Sequence, residues 1–599
     1  MQKGKFFDIL EYISSRKNDF ERMLKMSYKS KILKRILPTY IISATIPFIV
    51  CICIPFEIFG KNQSEFLFSF SQFIPFGILF AFLVTLVFFF STLFLPDKAY
   101  RIASAVIIAF AFMFFLQGTF LNAGITTLAG DNLDGAGIPI GKQIFNLIIW
   151  IVVIAAAVVL SLLKDKKGII SLASILLCAI VFITQLMGPV SLALTTEGVF
   201  ADKTERISLS EGTSAPKVLT YNNITKVSSD RNIIMFIVDR FDQEYADEAF
   251  ASCPEIFAEL KGFTAFDDNI SLYTHTFPGV ANLITQKRYD PLQSRSDYLN
   301  SAYKDNKTID TLYKNGYKVN LYTPNYYSYT DASFLPEYVG NVAEATEYEV
   351  DEKPLLSLSM MQMALYRCFP LMFKHYLGNI NSATCNNYVL CKGNDGYSQY
   401  STDMQKAYAT ISENGLQTTN DKVFSLIHID GCHDDAYDEN CNKISRGGST
   451  MKSLRSSFKI INEYLTEMKR LGVYKNSTII ITGDHASPIG NNKKVSNASL
   501  TALFFKRAGE DSENLKHNTA QVTHNEIWTT IFDSEYLSHN LINKNLFSID
   551  KNENREREYF WHNYASPMEE KLYKIKGAGK NLENWELVSS KTYNKFLMD

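Results

Sequence analysis

The chain has 599 residues, 46% of them hydrophobic, enough for several domains and a large core. Its 60 Lys and Arg against 62 Asp and Glu leave a formal charge of −2, which argues against a protein that coats nucleic acid. With 30 Gly and 17 Pro it is neither collagen-like nor largely disordered. The average hides an asymmetry, because nearly all long apolar runs precede residue 195. Residues 1–35 form a basic leader in which Phe6, Phe7, Leu10, Leu24, Met26, Ile32 and Leu33 lie among ten Lys and Arg. That mixture suits an interfacial helix on an anionic leaflet, and equally a basic flank that sets topology. Five apolar runs follow, near Ile36–Phe59, Ile74–Leu95, Ile102–Leu121, Phe145–Leu163 and Ile169–Leu192. Each approaches the roughly 20 helical residues that cross a bilayer core, so residues 36–194 are predicted to be a five-helix transmembrane bundle. The first run follows the leader and precedes no small-residue cleavage site, so it does not read as a signal peptide.

Lys98 and Arg101 occupy the second-to-third connection, and Lys164, Lys166 and Lys167 the fourth-to-fifth. The intervening loops carry only Lys61 and Lys142. The bias of Lys and Arg toward the cytoplasm then places the leader and those two loops inside, and everything after about Leu194 outside. The loop Asn122–Lys142 is long for a turn and is a candidate contact for the exterior domain or a lipid head group. Cys51, Cys53 and Cys178 fall in spans and are expected to be packed thiols. Cys253, Cys368, Cys385, Cys391, Cys432 and Cys441 fall in the exterior part, where disulfides are permitted. Short separations suggest Cys385–Cys391 and Cys432–Cys441, leaving Cys253 with Cys368. No CxxC pair supports a metal-thiolate site.

Residues 195–229 are polar, lack periodicity and read as a linker. Asn232–Asp239 (NIIMFIVD) then opens a domain over 230–540 as a buried, β-branched strand. Tyr317–Tyr322, Val423–Ile429, Thr478–Thr482 and Leu500–Phe505 are of the same kind. Helical patterns such as Lys307–Asn315 and Ser449–Leu471 lie between them. This alternation predicts an α/β domain with a mostly parallel sheet, whose ligands gather beyond the carboxyl ends of the strands. Three strand ends carry acidic or imidazole groups: Asp239, the run Asp430-Gly431-Cys432-His433-Asp434, and Gly483-Asp484-His485. An Asp after a strand often only caps a helix. Together, Asp239, Asp484 and His485 form an oxygen and nitrogen set suited to a divalent metal, Zn²⁺ or Mn²⁺ first and Mg²⁺ next.

A nucleophile is offered by Ser271-Leu-Tyr-Thr-His-Thr-Phe-Pro-Gly-Val280, in which Pro278 marks a helix start and Thr276 lies just ahead of it. Thr276 reads either as an N-cap or as a hydroxyl that, bound to a metal beside a helix N-terminus, can ionise and attack phosphorus. Residues 541–599 form an appended C-terminal region rich in aromatics, including Tyr559-Phe560-Trp561-His562. Aromatics there suit core packing or sugar stacking.

The set NIIMFIVDRF, YTHTFPGVANLIT, HIDGCHDDAY and STIIITGDHA resembles the alkaline phosphatase/sulfatase superfamily over roughly residues 231–532. With five spans ahead of it, the chain resembles the membrane-anchored branch of lipoteichoic acid synthases and phosphoethanolamine transferases. The resemblance implies an alkaline phosphatase-like fold outside the cell membrane, with Asp239, Thr276, Asp484 and His485 as metal ligands. It makes Thr276 the nucleophile and His433 a substrate-binding residue, and it suggests no settled role for His524. It implies transfer of phosphoglycerol or phosphoethanolamine from a phospholipid to an envelope polysaccharide or lipid-linked glycan. A formylglycine sulfatase is disfavoured, because Thr276 cannot be converted and Val280 stands where that pattern has Arg. Asp430, His433, His517 and His524 lack the spacing for a second metal, so one metal is expected. Hydrolysis with the same residues, or a silent membrane binding protein that keeps the fold, are the alternatives. A transporter is weaker still, since the spans hold few charges.

Overall fold

The structure, a computed structural model, describes residues 30–63, 65–122, 139–163, 169–204, 215–325, 327–377, 382–433, 435–444, 446–486, 500–563 and 568–593. Most of the basic leader and of the loop 122–142 lies outside them. The chain divides into two compact units, one formed by Met1–Ser214 with Tyr348–Leu390, the other by Ala215–Glu347 with Cys391–Asp599.

Among the described residues of the first unit are five long apolar helices: α1 (Ser30–Lys61), α2 (Phe70–Leu93), α3 (Asp97–Leu121), α4 (Ile140–Leu162) and α5 (Ile169–Thr195). They coincide with the five apolar runs, and each contains a stretch long and apolar enough to cross a membrane. Ile78, Phe82, Ile148 and Ile183 on their flanks are exposed, as helices solvated by lipid require. Polar side chains turn inward and satisfy one another. Asn146 Nδ2 and Trp150 Nε1 of α4 donate to Gln117 Oε1 of α3 at 2.7 and 3.1 Å. Residues 348–390 lie inside the stretch read as one catalytic domain, yet they group with these helices. The helix Lys353–Cys368 packs on α2, with Ser357 Oγ donating to the Phe73 carbonyl at 2.6 Å.

The second unit is built on a seven-stranded sheet. Its strands are β1 (Asn232–Val238), β2 (Thr264–Ile270), β3 (Tyr317–Tyr322), β4 (Lys422–Ile429), β5 (Ser477–Thr482), β6 (Leu503–Lys506) and β7 (Lys516–Thr523). Their spatial order is β7-β2-β6-β5-β1-β4-β3. All neighbours are parallel except β6, which runs antiparallel to both β5 and β2. Every residue of β1 and β5 is buried, which is why those strands read as continuous β-branched runs. The strands β2 and β7 escape the sequence pattern because polar residues interrupt them, as in TAFDDNI and KHNTAQVT. The C-terminal region folds as a three-stranded antiparallel sheet of β8 (Glu556–Asn563), β9 (Met568–Lys576) and β10 (Trp585–Tyr593).

The expected disulfides are not formed: all nine cysteines are buried thiols. Partners other than cysteine fill their surroundings. Cys253 Sγ lies 3.7 Å from Met451 Sδ, Cys385 Sγ lies 3.6 Å from Met363 Sδ, and Cys441 Sγ donates to the Ser456 carbonyl at 3.4 Å. Burial pushes the Cys441 thiol up to about 11 and Cys385 up to about 12, which leaves them packed and unreactive.

Candidate active site

Sheet register assembles the site. Ile237 pairs with Thr482 on one side and with His428 on the other, so these three form a row across β5, β1 and β4. Residues two apart on a strand share a face, so Asp239 and Asp484, two beyond Ile237 and Thr482, emerge beside His428. Ligand atoms of Asp239, His428 and Asp484 lie within 4.8 Å of one another, and all three residues are buried. His428 Nε2 is 3.3 Å from Asp239 Oδ2. His485 Nε2 is 3.6 Å from Asp239 Oδ1 and 3.7 Å from Asp484 Oδ2. Thr276 Oγ1 donates to Asp239 Oδ2 over 3.4 Å. The four residues named as metal ligands from the sequence are thus brought together, and His428 joins them.

Backbone conformation holds this arrangement. Arg240, at a positive φ of 55°, turns its N–H onto Asp484 Oδ1 at 3.0 Å, and the His485 N–H reaches the same oxygen at 2.9 Å. Gly431 has φ 62°, and a Cβ there would come within 2.5 Å of the Asp239 backbone, so only glycine lets the turn after β4 pass. His485 Nδ1 lies 2.6 Å from the Ala486 carbonyl, which can only accept. Nδ1 therefore carries a proton, and Nε2 is the ring atom that faces the two carboxylates.

Asp239 Oδ1 and Asp484 Oδ2 are buried and accept no hydrogen bond from the protein. Two such oxygens beside two imidazoles are costly in an apolar interior unless a cation satisfies them. The donor set fits Zn²⁺ or Mn²⁺. Burial raises the Asp484 carboxyl, but His485 and His428 outweigh it and hold it below the ordinary value. At His428 burial lowers the imidazole, while Asp239, Asp484 and Asp430 outweigh it and raise it. Replacing His428 by Ala is expected to weaken Mn²⁺ or Zn²⁺ binding at least about tenfold, as loss of one coordinating or supporting imidazole does elsewhere. Equilibrium dialysis of the detergent-solubilised protein reads this directly, and unchanged affinity would remove His428 from the centre.

Other residues surround the group. Thr276 precedes the regular turns of the helix Thr276–Thr285, since Phe277 between them is non-helical. His275 is pushed down to about 3 by burial, with His485, His562 and Asp484 acting on it and His433 lowering it further. Its Nδ1 lies 2.8 Å from Thr274 Oγ1, which also accepts the His562 N–H of β8 at 3.3 Å. His433 is exposed in the turn after β4. His524 is buried behind the site, with Nε2 3.1 Å from Thr482 Oγ1. His517 pairs with Asp267 at 3.0 Å, both on the β2–β7 side of the sheet. The residue missed from the sequence is His428, and its signal is an imidazole one place before the end of a mostly apolar strand.

Neither a protein-family model nor a curated protein sequence matches the chain. Among solved structures it is similar to the lipoteichoic acid synthase LtaP from Listeria monocytogenes, at 13% identity over 65% of this chain and 92% of that one, with a TM-score of 0.34. It is similar to an alkaline phosphatase superfamily protein from Vibrio parahaemolyticus, at 11% identity over 65% of this chain and 89% of that one, with a TM-score of 0.34. The PsFucS1 sulfatase from Pseudoalteromonas sp. is 13% identical over 61% of this chain and 84% of its own, with a TM-score of 0.35.

Proposed function

We propose that the chain is a membrane-bound, metal-dependent phosphotransferase that moves phosphoglycerol or phosphoethanolamine from a phospholipid to an envelope glycan or polymer. The observation that carries this reading is the Thr276 hydroxyl beside Asp239 in a group of buried carboxylates with unpaired oxygens. A divalent cation held by Asp239, Asp484 and His485, with His428 beside them, would supply a Lewis acid that lowers the hydroxyl's pKa and stabilises phosphoryl oxygens gaining charge.

Thr276 supplies the nucleophilic oxygen. Its proton points at Asp239 Oδ2, which leaves the Oγ1 lone pairs for phosphorus. The Oγ1–P bond forms as the bond from phosphorus to the diacylglycerol oxygen breaks, and the hydroxyl proton passes by way of Asp239 Oδ2 to the departing oxygen, so that diacylglycerol leaves as an alcohol. The phospho-alcohol remains as a phosphothreonine ester. An acceptor hydroxyl then forms a new O–P bond as the Oγ1–P bond breaks, and its proton returns to Thr276 Oγ1. His433, exposed at the end of β4, is the residue for a phosphate oxygen. The five apolar helices support a lipid donor, because they keep the chain in the membrane that supplies it.

Mass spectrometry of the full-length protein incubated with phosphatidylglycerol or phosphatidylethanolamine tests this. The peptide carrying Thr276 is expected to gain the mass of phosphoglycerol or phosphoethanolamine, and Thr276→Ala to gain nothing. Metal bound without any adduct would point to hydrolysis at the same residues. No adduct and no metal would sink the reading.

A further inference from the structure

The stretch that leaves the second unit to join the apolar helices has an inverted surface. Asp351, Glu352 and Lys353 are exposed at its start. From Pro354 to Leu377, the exposed residues among the described side chains are Pro354, Leu355, Leu358, Phe373 and Tyr376, none of them charged. The basic residues point inward instead. Arg367 donates to Glu57 Oε2 of α1 at 2.8 Å and to the Gly118 carbonyl of α3 at 3.3 Å. Lys374 is buried and donates to the Tyr366 and Arg367 carbonyls. A helix on a water-facing surface does the opposite, burying its apolar stripe and exposing its charges.

Its place along the bundle is fixed by hydrogen bonds. The Leu371 N–H donates to Asn146 Oδ1 at 3.0 Å. Asn146 lies six residues past the first residue of α4, about 9 Å along the axis at 1.5 Å per residue. The 23 residues of α4 span roughly 34 Å against a hydrocarbon core of about 30 Å, so Leu371 comes about 7 Å inside the boundary between head groups and acyl chains. Ser357 is tied to Phe73, in the first turn of α2. The two helices that make these ties also carry exposed apolar residues toward the same ends, Ile140, Ile144 and Phe145 on α4 and Ile78 and Leu79 on α2.

We infer that residues 354–377 are an interfacial element seated in the same bilayer, and that the partner of Leu355, Leu358, Phe373 and Tyr376 is a phospholipid surface. The depth matches that of amphipathic segments, whose apolar face sits about 5–10 Å into the head-group and acyl boundary. The placement needs only that α1–α5 cross a bilayer, so it stands apart from the chemistry at Thr276.

Because all nine native cysteines are buried, single cysteines at exposed positions can be spin-labelled selectively. Leu358→Cys and Tyr376→Cys, in the full chain in phosphatidylglycerol–phosphatidylcholine nanodiscs, are compared with Glu513→Cys, whose native side chain is 78% exposed. The expected result is that the labels at 358 and 376 relax faster with oxygen than with aqueous nickel chelate, at least about threefold relative to the Glu513→Cys label. Labels that respond to nickel chelate as the control does would overturn the inference. So would labels shielded from both reagents, since that pattern means protein covers the face.

Discussion

Exchanging Asp484 for Asn is expected to lower kcat at least about a thousandfold and to empty the centre of metal while leaving the fold intact. The magnitude follows from losing several kcal/mol of charge stabilisation, at about 1.4 kcal/mol for each tenfold. The substitution keeps the part of the side chain that the fold uses. Asp484 Oδ1 accepts the N–H groups of Arg240 and His485, and an Asn carbonyl accepts them equally. It removes the part the centre uses, because the buried, unpartnered Oδ2 becomes an NH₂. That group would stand near His485 Nε2, now 3.7 Å from Oδ2, and donate to the lone pair that otherwise faces the cation. Metal analysis, single-turnover assay and thermal denaturation are read together. Full metal content with more than about a tenth of wild-type turnover would show that Asp484 is not a ligand.

The sequence discloses those parts of the site that sit just beyond strand ends, where a charged residue breaks an apolar run. Asp239, Asp484 and His485 are visible for that reason. His428 is not, since it stands within its strand, and only the register of β4 against β1 puts it in the row next to Asp239. The same limit hides β2 and β7. Their polar residues make partners elsewhere, such as Asp268 with Arg557, and no local period announces them. The five apolar helices are legible because each satisfies its own backbone and needs only length and apolarity. Residues 348–390 are not, because a short amphipathic helix looks alike whether it covers a soluble sheet or a membrane bundle. Its membership is decided by long-range contacts such as Arg367 with Glu57. The cysteines misled through spacing, which says nothing of whether two Cβ atoms approach closely enough for a disulfide.

Replacing Arg557 by Ala is expected to destabilise the second unit by about 3–5 kcal/mol, the usual result of removing one member of a buried ion pair. Arg557 of β8 is almost fully buried. Its Nη1 donates to Asp268 Oδ1 at 2.9 Å, to the Asp268 carbonyl at 2.8 Å and to the Val522 carbonyl at 3.3 Å. Its Nη2 donates to the Gly577 carbonyl at 2.8 Å. One guanidinium thus joins the C-terminal sheet to β2 and β7 of the main sheet. Without it the Asp268 carboxylate stays buried, and the Gly579 N–H at 3.1–3.2 Å is left to compensate a full charge. The damage should reach the site, because the strand that carries Arg557 also carries Phe560, whose N–H binds the Leu272 carbonyl at 2.8 Å, and His562, whose N–H binds Thr274. Hydrogen exchange is therefore expected to rise together in 556–563 and 272–276. The double variant Asp268→Leu/Arg557→Met should recover most of the lost stability, since apolar replacement of both partners of a buried pair is often neutral. Chemical denaturation of the wild type and the two variants separates the cases. Equal losses in single and double variants would mean that Arg557 acts through its carbonyl contacts, and that the charge pair itself contributes nothing.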